Sequence, residues 1–381
     1  MLQYDLLLKG GEVLLPATSF RGKLDVAISQ GRIVAMRENI SADEAKRVLD
    51  VRDKLVVPGL IDLHTHLGFE LHTQVVDPNV YCPPAGVTTA VDMGSTGAFN
   101  FLWYKDRVLS RTQTRLYAFI NIASIGTTAI HTPYYVDNYG RYIDVPDTIR
   151  TIEENRQHIR GIKVFATSKM TGDWALDAVR AAVRVGDAVE LPVAVHISQQ
   201  PPALEAILTL LRKGDIITHT YTPHDQGILD ERGRIRPEVK AARHRGVIFD
   251  LGHGAGSFSF EVARKALAQD FPPDTISTDI YYVNIETPVK DLPTTLSKLL
   301  NLGLSLEETI ARATYNPAQA LGDNRLGTLE LGHPADVTVL SLHEGQFTFV
   351  DSKQETLQGK WKLECEATIF DGEVVYQRAT Q

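Results

Sequence analysis

His64 and His66 stand two residues apart in the run GLIDLHTH at 59–66. In an extended strand that spacing sends both imidazoles to one face, where they can chelate one metal ion. An HxH pair alone serves about as often in a core or at a wet surface. Four more metal-competent side chains follow along the chain: Lys163, His196, His219 and Asp279. Neutral imidazoles and a carboxylate suit zinc and related divalent ions, and the donor types do not choose among zinc, manganese, iron and cobalt. Two ions would need more negative charge than Asp279 supplies. Lys163 is the odd member, either a strand-end ion-pair partner or a buried amine of lowered pKa that can react as the free base.

These residues are far apart in sequence, so the elements that carry them must converge. Between about residues 56 and 322, eight apolar β-rich runs alternate with helical stretches: 56–66, 86–95, 115–124, 159–167, 192–198, 215–222, 246–254 and 275–282. Each run is continuous rather than alternating, as in parallel strands buried on both faces. Helical spacing is clearest at 173–190, 201–213, 258–269 and 306–320. Eight strand and helix units predict an α/β fold, a (β/α)8 TIM barrel. All six candidate residues fall at or near the C-terminal ends of the runs, where such barrels assemble their active sites. The flanking segments read as short strands with turn punctuation, including Gly10-Gly11 and Asp371-Gly372. They predict a small β-sandwich domain formed by 1–55 and 323–381, with 56–322 as the catalytic barrel.

Composition narrows the function further. An apolar share of 43% and a charged share of 23% are those of a chain with a large buried core. The formal net charge is −8 and the basic residues are scattered, so a small-molecule substrate is expected as partner rather than nucleic acid. No stretch of about 20 apolar residues and no signal-peptide pattern occurs, so no membrane span is expected. Cys82 and Cys365 form neither a CxxC pair nor a disulfide framework, which points to a reducing cytoplasm.

The run GLIDLHTH together with Lys163, His196, His219 and Asp279 resembles the amidohydrolase superfamily in its binuclear subtype, over essentially the whole chain. GVTTAVDMGSTGAFNF (86–101), NIASIG (121–126), GIKVFAT (161–167) and DLGHGAGSFSF (250–260) are similar to the amidohydrolase/deacetylase metallohydrolases, whose relatives hydrolyse acetyl esters or N-acyl amino-acid-like compounds. The resemblance implies two divalent metal ions, with zinc expected. His64, His66 and Asp279 would hold one and His196 and His219 the other, bridged by a CO2-derived carbamate on Lys163. It implies catalytic roles for Asp279 and Lys163: a hydroxide shared by the metals attacks the acyl carbon, and Asp279 carries the proton to the leaving group. A homo-oligomer is expected, as in relatives. Two positions depart from related patterns. Dihydroorotases place an Arg two residues after the second His, where this chain has Gly68, and subgroup relatives often place a basic residue at the position of Phe165.

Three further residues are candidates for substrate contact: His253 in the glycine-rich loop after the seventh run, Tyr135 in the long loop after the third, and Tyr281 just past Asp279. His72, His131 and His224 also sit in rim loops and read as solvated or hydrogen-bonded. The expected activity is removal of an N- or O-acyl group from a small amide or ester. Its rivals are a cyclic amidohydrolase that opens a hydantoin, imide or dihydroorotate ring, a mononuclear deaminase with an unmodified Lys163, and a catalytically retired scaffold.

Overall fold

The computed structural model describes residues 2–69, 71–72 and 74–379. The chain opens with β1 (Tyr4–Leu15), β2 (Phe20–Ser29), β3 (Arg32–Arg37), β4 (Ala45–Asp50) and β5 (Leu55–Pro58), and closes with three further strands, Val337–Val350, Thr356–Phe370 and Glu373–Gln377. The two groups join in one eight-stranded sheet, in which β5 pairs antiparallel with Val337–Val350 and parallel with β1. This terminal domain is a single continuous sheet folded over its own core. Leu6, Val26 and Ile33 from one end meet Ala367 and Ile369 from the other.

Seven parallel strands follow in strict neighbour order: β6 (Leu60–Thr65), β7 (Val87–Gly97), β8 (Arg115–Asn121), β9 (Ile159–Phe165), β10 (Val193–His196), β11 (Ile216–Thr218) and β12 (Ile248–Asp250). Their side chains are buried almost without exception, which explains the continuous apolar runs of the sequence. The eighth run forms no regular ladder but still closes the ring. Thr275 bridges to Asp250 at one edge and Ile280 to Thr65 at the other.

The physical reason is in its composition. Hydroxyl and amide groups of Thr275, Ser277 and Thr278 are drawn onto two buried carboxylates, Asp250 and Asp62, and Asp279 turns into the left-handed region at φ 50°. A segment so pinned cannot hold the even geometry of a strand.

Helices Ala175–Val189 and Phe260–Leu267 fall inside the expected stretches. The last expected helix, 306–320, splits into Leu306–Ala311 and Tyr315–Ala320. Pro317 has no N–H to return to Ala313, and the Ala313 carbonyl instead accepts Ile61 N–H at 2.7 Å, tying the outer helices to β6. Among the described residues no helix is long and apolar enough to cross a membrane.

Thr278 is the linchpin of closure. Its Oγ1 donates to Asp62 Oδ2 at 2.6 Å and accepts Ile280 N–H at 3.0 Å, all buried. Thr278→Val keeps the volume but leaves the Ile280 N–H without its acceptor and takes one of three donors from Asp62, which keeps the Tyr81 hydroxyl and the Thr278 N–H. The expected result is a loss of about 2–3 kcal/mol of unfolding free energy in urea titrations, and a loss below about 0.5 kcal/mol would remove this tether from the account of closure.

Candidate metal centre and substrate cavity

The C-terminal ends of the parallel strands bring all six sequence candidates together. His64 lies on β6 and His66 just beyond it, Lys163 on β9, His196 at the end of β10, His219 just after β11, and Asp279 on the closing segment. Asp279 Oδ1 is 3.3 Å from His64 Nε2 and 3.2 Å from His66 Nε2. Lys163 Nζ is 3.1 Å from the same His64 nitrogen, and His219 Nε2 is 2.7 Å from His196 Nδ1. His219 and Asp279 both adopt positive φ, 74° and 50°. Such backbone strain in non-glycine residues is tolerated where the surroundings fix it, and here it belongs to two of the six converging residues. The loop 252–257 packs close behind: a Cβ on Gly254 would sit 2.4 Å from Asp279 Oδ2.

The electrostatics suit a cation. Burial, reinforced by neighbouring positive groups, holds His64 and His196 well below the usual imidazole range, and burial brings His219 down to about 4. These rings are therefore neutral and offer lone pairs. His196 Nε2 is buried without a hydrogen-bond partner among the described residues. His64, His66 and Asp279 can each direct one ligand atom into a common space, with those atoms within 4.8 Å of one another. Lys163 is wholly buried, and desolvation lowers its amine to about 8 although Asp279, Asp250 and Asp92 pull the other way. The donor set, its neutrality and the orphaned nitrogen fit a divalent metal centre.

Above this floor opens a cavity of about 330 Å³ whose base includes His66, His196 and Asp279. Ile130, Phe165, Met170 and Tyr281 give it apolar walls, and His131, Lys169 and His224 line it as well. Tyr281 stands edge-on to His66, with ring centroids 6.2 Å apart.

The other two substrate-contact candidates lie elsewhere. His253 is fully buried, accepts from Lys298 Nζ at 2.8 Å and packs on Phe258, so it supports the glycine-rich loop from behind. Tyr135 is fully buried too, its hydroxyl donating to Gly126 O at 2.9 Å. Both side chains turn inward because each ring finds an apolar pocket and a polar partner there. His131 and His224, read from the sequence as solvated or hydrogen-bonded rim residues, are exposed and half-buried respectively and line the cavity, and Lys169 gave no signal beyond following the fourth strand.

The amidohydrolase family model matches residues 55–375. The chain belongs to the amidohydrolase family. A deacetylase from Enterococcus faecalis is 32% identical over 380 residues, covering 98% of this chain and 99% of the relative. A deacetylase from Agrobacterium fabrum is 29% identical over 345 residues, covering 91% and 84%. Among solved structures, an adenine deaminase superposes with a TM-score of 0.90 at 32% identity, covering 98% of this chain and 100% of that one. A dihydroorotase superposes with 0.88 at 29%, covering 98% of each chain. This amidohydrolase is thus an enzyme, a hydrolase acting on C–N bonds, with a barrel of the family's kind. Replacing both His64 and His66 by Ala is expected to abolish retention of a divalent ion through dialysis, read by elemental analysis per chain. Undiminished metal content would place the ion elsewhere.

Proposed function

We propose that this amidohydrolase is a deacylase that cleaves a small acyl group from an amide or ester whose remaining part carries an anionic group beside an apolar one. The observation that carries the reading is the mixed lining of the cavity. Its base holds the metal-competent cluster, and its lining holds the Lys169 ammonium, with apolar side chains around them. Among the described lining residues Asp279 is the one carboxylate. Burial first, and the Lys169 charge second, keep His131 and His224 below the usual imidazole range, so they act as neutral hydrogen-bonding groups beside that ammonium. A carboxylate on the substrate fits this environment. The deacetylase relatives support the acyl-cleaving chemistry.

In the proposed chemistry His64, His66 and Asp279 would hold one zinc ion and His196 and His219 a second, and carboxylated Lys163 would supply the further anionic ligand they need. When bound, such ions supply Lewis acidity, polarising the scissile carbonyl and easing the ionisation of water. Lys163 supports the pair through its own reaction. Its ammonium first gives one proton to solvent; the free amine then forms a bond to the carbon of CO2 as one C=O π pair moves onto oxygen, and the nitrogen releases a second proton to solvent, so that a buried cation becomes the anion that two dications would require. Asp279, at the cavity base, takes the proton of the attacking water on its carboxylate and returns it to the departing nitrogen or oxygen. Phe165, Met170 and Ile130 keep bulk water from the acyl group, and Lys169 fixes the opposite end of the substrate.

The proposal places the enzyme in the cytoplasm, where the buried free thiols Cys82 and Cys365 remain reduced. It includes a homo-oligomer, which the exposed Phe99, Leu102 and Trp103 on one short segment support. Ring opening is the second reading, favoured by the dihydroorotase superposition.

A panel of N-acetyl amino acids, acetyl hydroxy-acid esters, hydantoins, dihydroorotate and adenine separates the readings. Acetate release from the linear compounds alone is expected, and exclusive turnover of a ring or of adenine would overturn the deacylase assignment. Lys169→Met should raise KM for the carboxylate-bearing substrates by about tenfold or more, with little change for neutral esters. Asp279→Asn should lose nearly all turnover. For Lys163, reactivation of metal-free enzyme by zinc should require CO2. At fixed dissolved CO2 its rate should climb as pH rises toward 8 and level off above, because only the free amine reacts. A rate flat across that window, or full activity in Lys163→Ala, would refute the carbamate.

A further inference from the structure

A histidine that offers one ring nitrogen to a metal must carry its proton on the other, and something has to decide which. His219 is settled directly: its Nδ1 is 2.7 Å from Gly252 O, and a carbonyl only accepts. Among the described residues His64 and His66 have no such carbonyl. Their Nδ1 atoms face hydroxyls, Thr218 Oγ1 at 2.8 Å and Ser95 Oγ at 2.9 Å, and a hydroxyl can either give or receive.

Behind the Thr218 hydroxyl stands a fully buried carboxylate. Thr218 Oγ1 is 2.8 Å from Asp250 Oδ2. On the His66 side, Asp92 takes the Ser95 backbone N–H at 2.8 Å. An ionised carboxylate only accepts. The single hydroxyl proton of Thr218 is therefore committed to Asp250, and its lone pair is left for His64 Nδ1–H. The lone pair of His64 is then on Nε2, which faces Asp279 and Lys163.

Asp250 is wholly buried, its carboxylate also accepts from the hydroxyls of Thr275 and Ser277, and its Oδ2 lies 3.7 Å from His64 Nδ1, beyond direct hydrogen-bond distance, so it acts on that ring from behind. Gly252 makes the meeting possible. At φ 48° it carries no Cβ, and one would lie 2.3 Å from Thr218 Oγ1, 2.9 Å from His219 Nδ1 and 3.1 Å from His64 Nδ1.

We propose that Asp250, acting through the Thr218 hydroxyl, is a positioning residue that sets the tautomer of His64 and so keeps a lone pair, rather than a hydrogen, on the nitrogen that faces the metal centre. The inference rests on the metal-centre reading above. Without the relay the Thr218 hydroxyl is free to donate to Nδ1, which moves the ring proton to Nε2 and blocks the ligand.

The test uses the full chain, stripped of metal and titrated with zinc against a chelator, with 15N-histidine spectra of the metal-free protein reporting the tautomers. Thr218→Val should weaken zinc binding by about 10- to 100-fold and shift His64 toward the Nε2–H form, whereas Thr218→Ser, which keeps the hydroxyl, should restore both. To test the carboxylate itself, Thr275→Val is compared with Thr275→Val plus Asp250→Asn. With no hydroxyl at 275, the amide turns its NH2 to Thr218 and reverses the relay, so zinc affinity should fall only in the double variant. Unchanged tautomer and affinity in Thr218→Val would overturn the relay. Equal losses in Thr218→Val and Thr218→Ser would overturn it as well, by pointing to packing alone, and an unchanged double variant would remove Asp250 from it. Failure of the unsubstituted protein to bind zinc would sink the metal-centre reading instead, and the tautomer spectra would still judge the relay.

Discussion

Two buried carboxylates, Asp62 and Asp250, hold the closing segment of the barrel in place, and the metal centre depends on that grip. Asp62 receives the Thr278 hydroxyl and amide and the Tyr81 hydroxyl, and Asp250 receives Thr218, Thr275 and Ser277. Burial pushes these carboxyl groups up, to about 7 and about 6, while the donors pull them back toward ionisation. In return the irregular segment 275–282 gains fixed anchors that a ladder would otherwise provide. Asp279 lies next to one of those anchors, and its left-handed backbone turns its carboxylate toward His64 and His66.

The same burial that makes these carboxylates costly keeps the imidazoles neutral and the Lys163 amine partly deprotonated near neutral pH. A water-filled rim would leave the lysine fully charged and repel a metal. The site is therefore a consequence of dryness at the strand ends, with charge admitted only where a hydrogen-bonded partner compensates it.

Much of this was legible in the residues. Continuous apolar runs report strands buried on both faces, and the family-like spacing of His64, His66, Lys163, His196, His219 and Asp279 reports their convergence, because each sits at the end of a run. His253 and Tyr135 misled because a loop position near the rim does not say which way a ring turns. Both found buried polar partners and face inward. His131 and His224 do lie on the rim as read, but their facing the cavity was not legible. The pairing of Thr218 with Asp250 and His64 was not legible in one dimension, since the three lie on different strands, and Lys169 carries no motif.

What the sequence by itself determined is the order of the strands, the ligand types and their placement at strand ends, because hydrophobic periodicity and donor chemistry are local properties of the chain. The tertiary structure alone decided how the ring closes without an eighth ladder, which ring nitrogen of each histidine faces the centre, and which cation shares the cavity with it. Those outcomes are fixed by hydrogen-bond direction and desolvation among groups tens to hundreds of residues apart, and no local pattern encodes them.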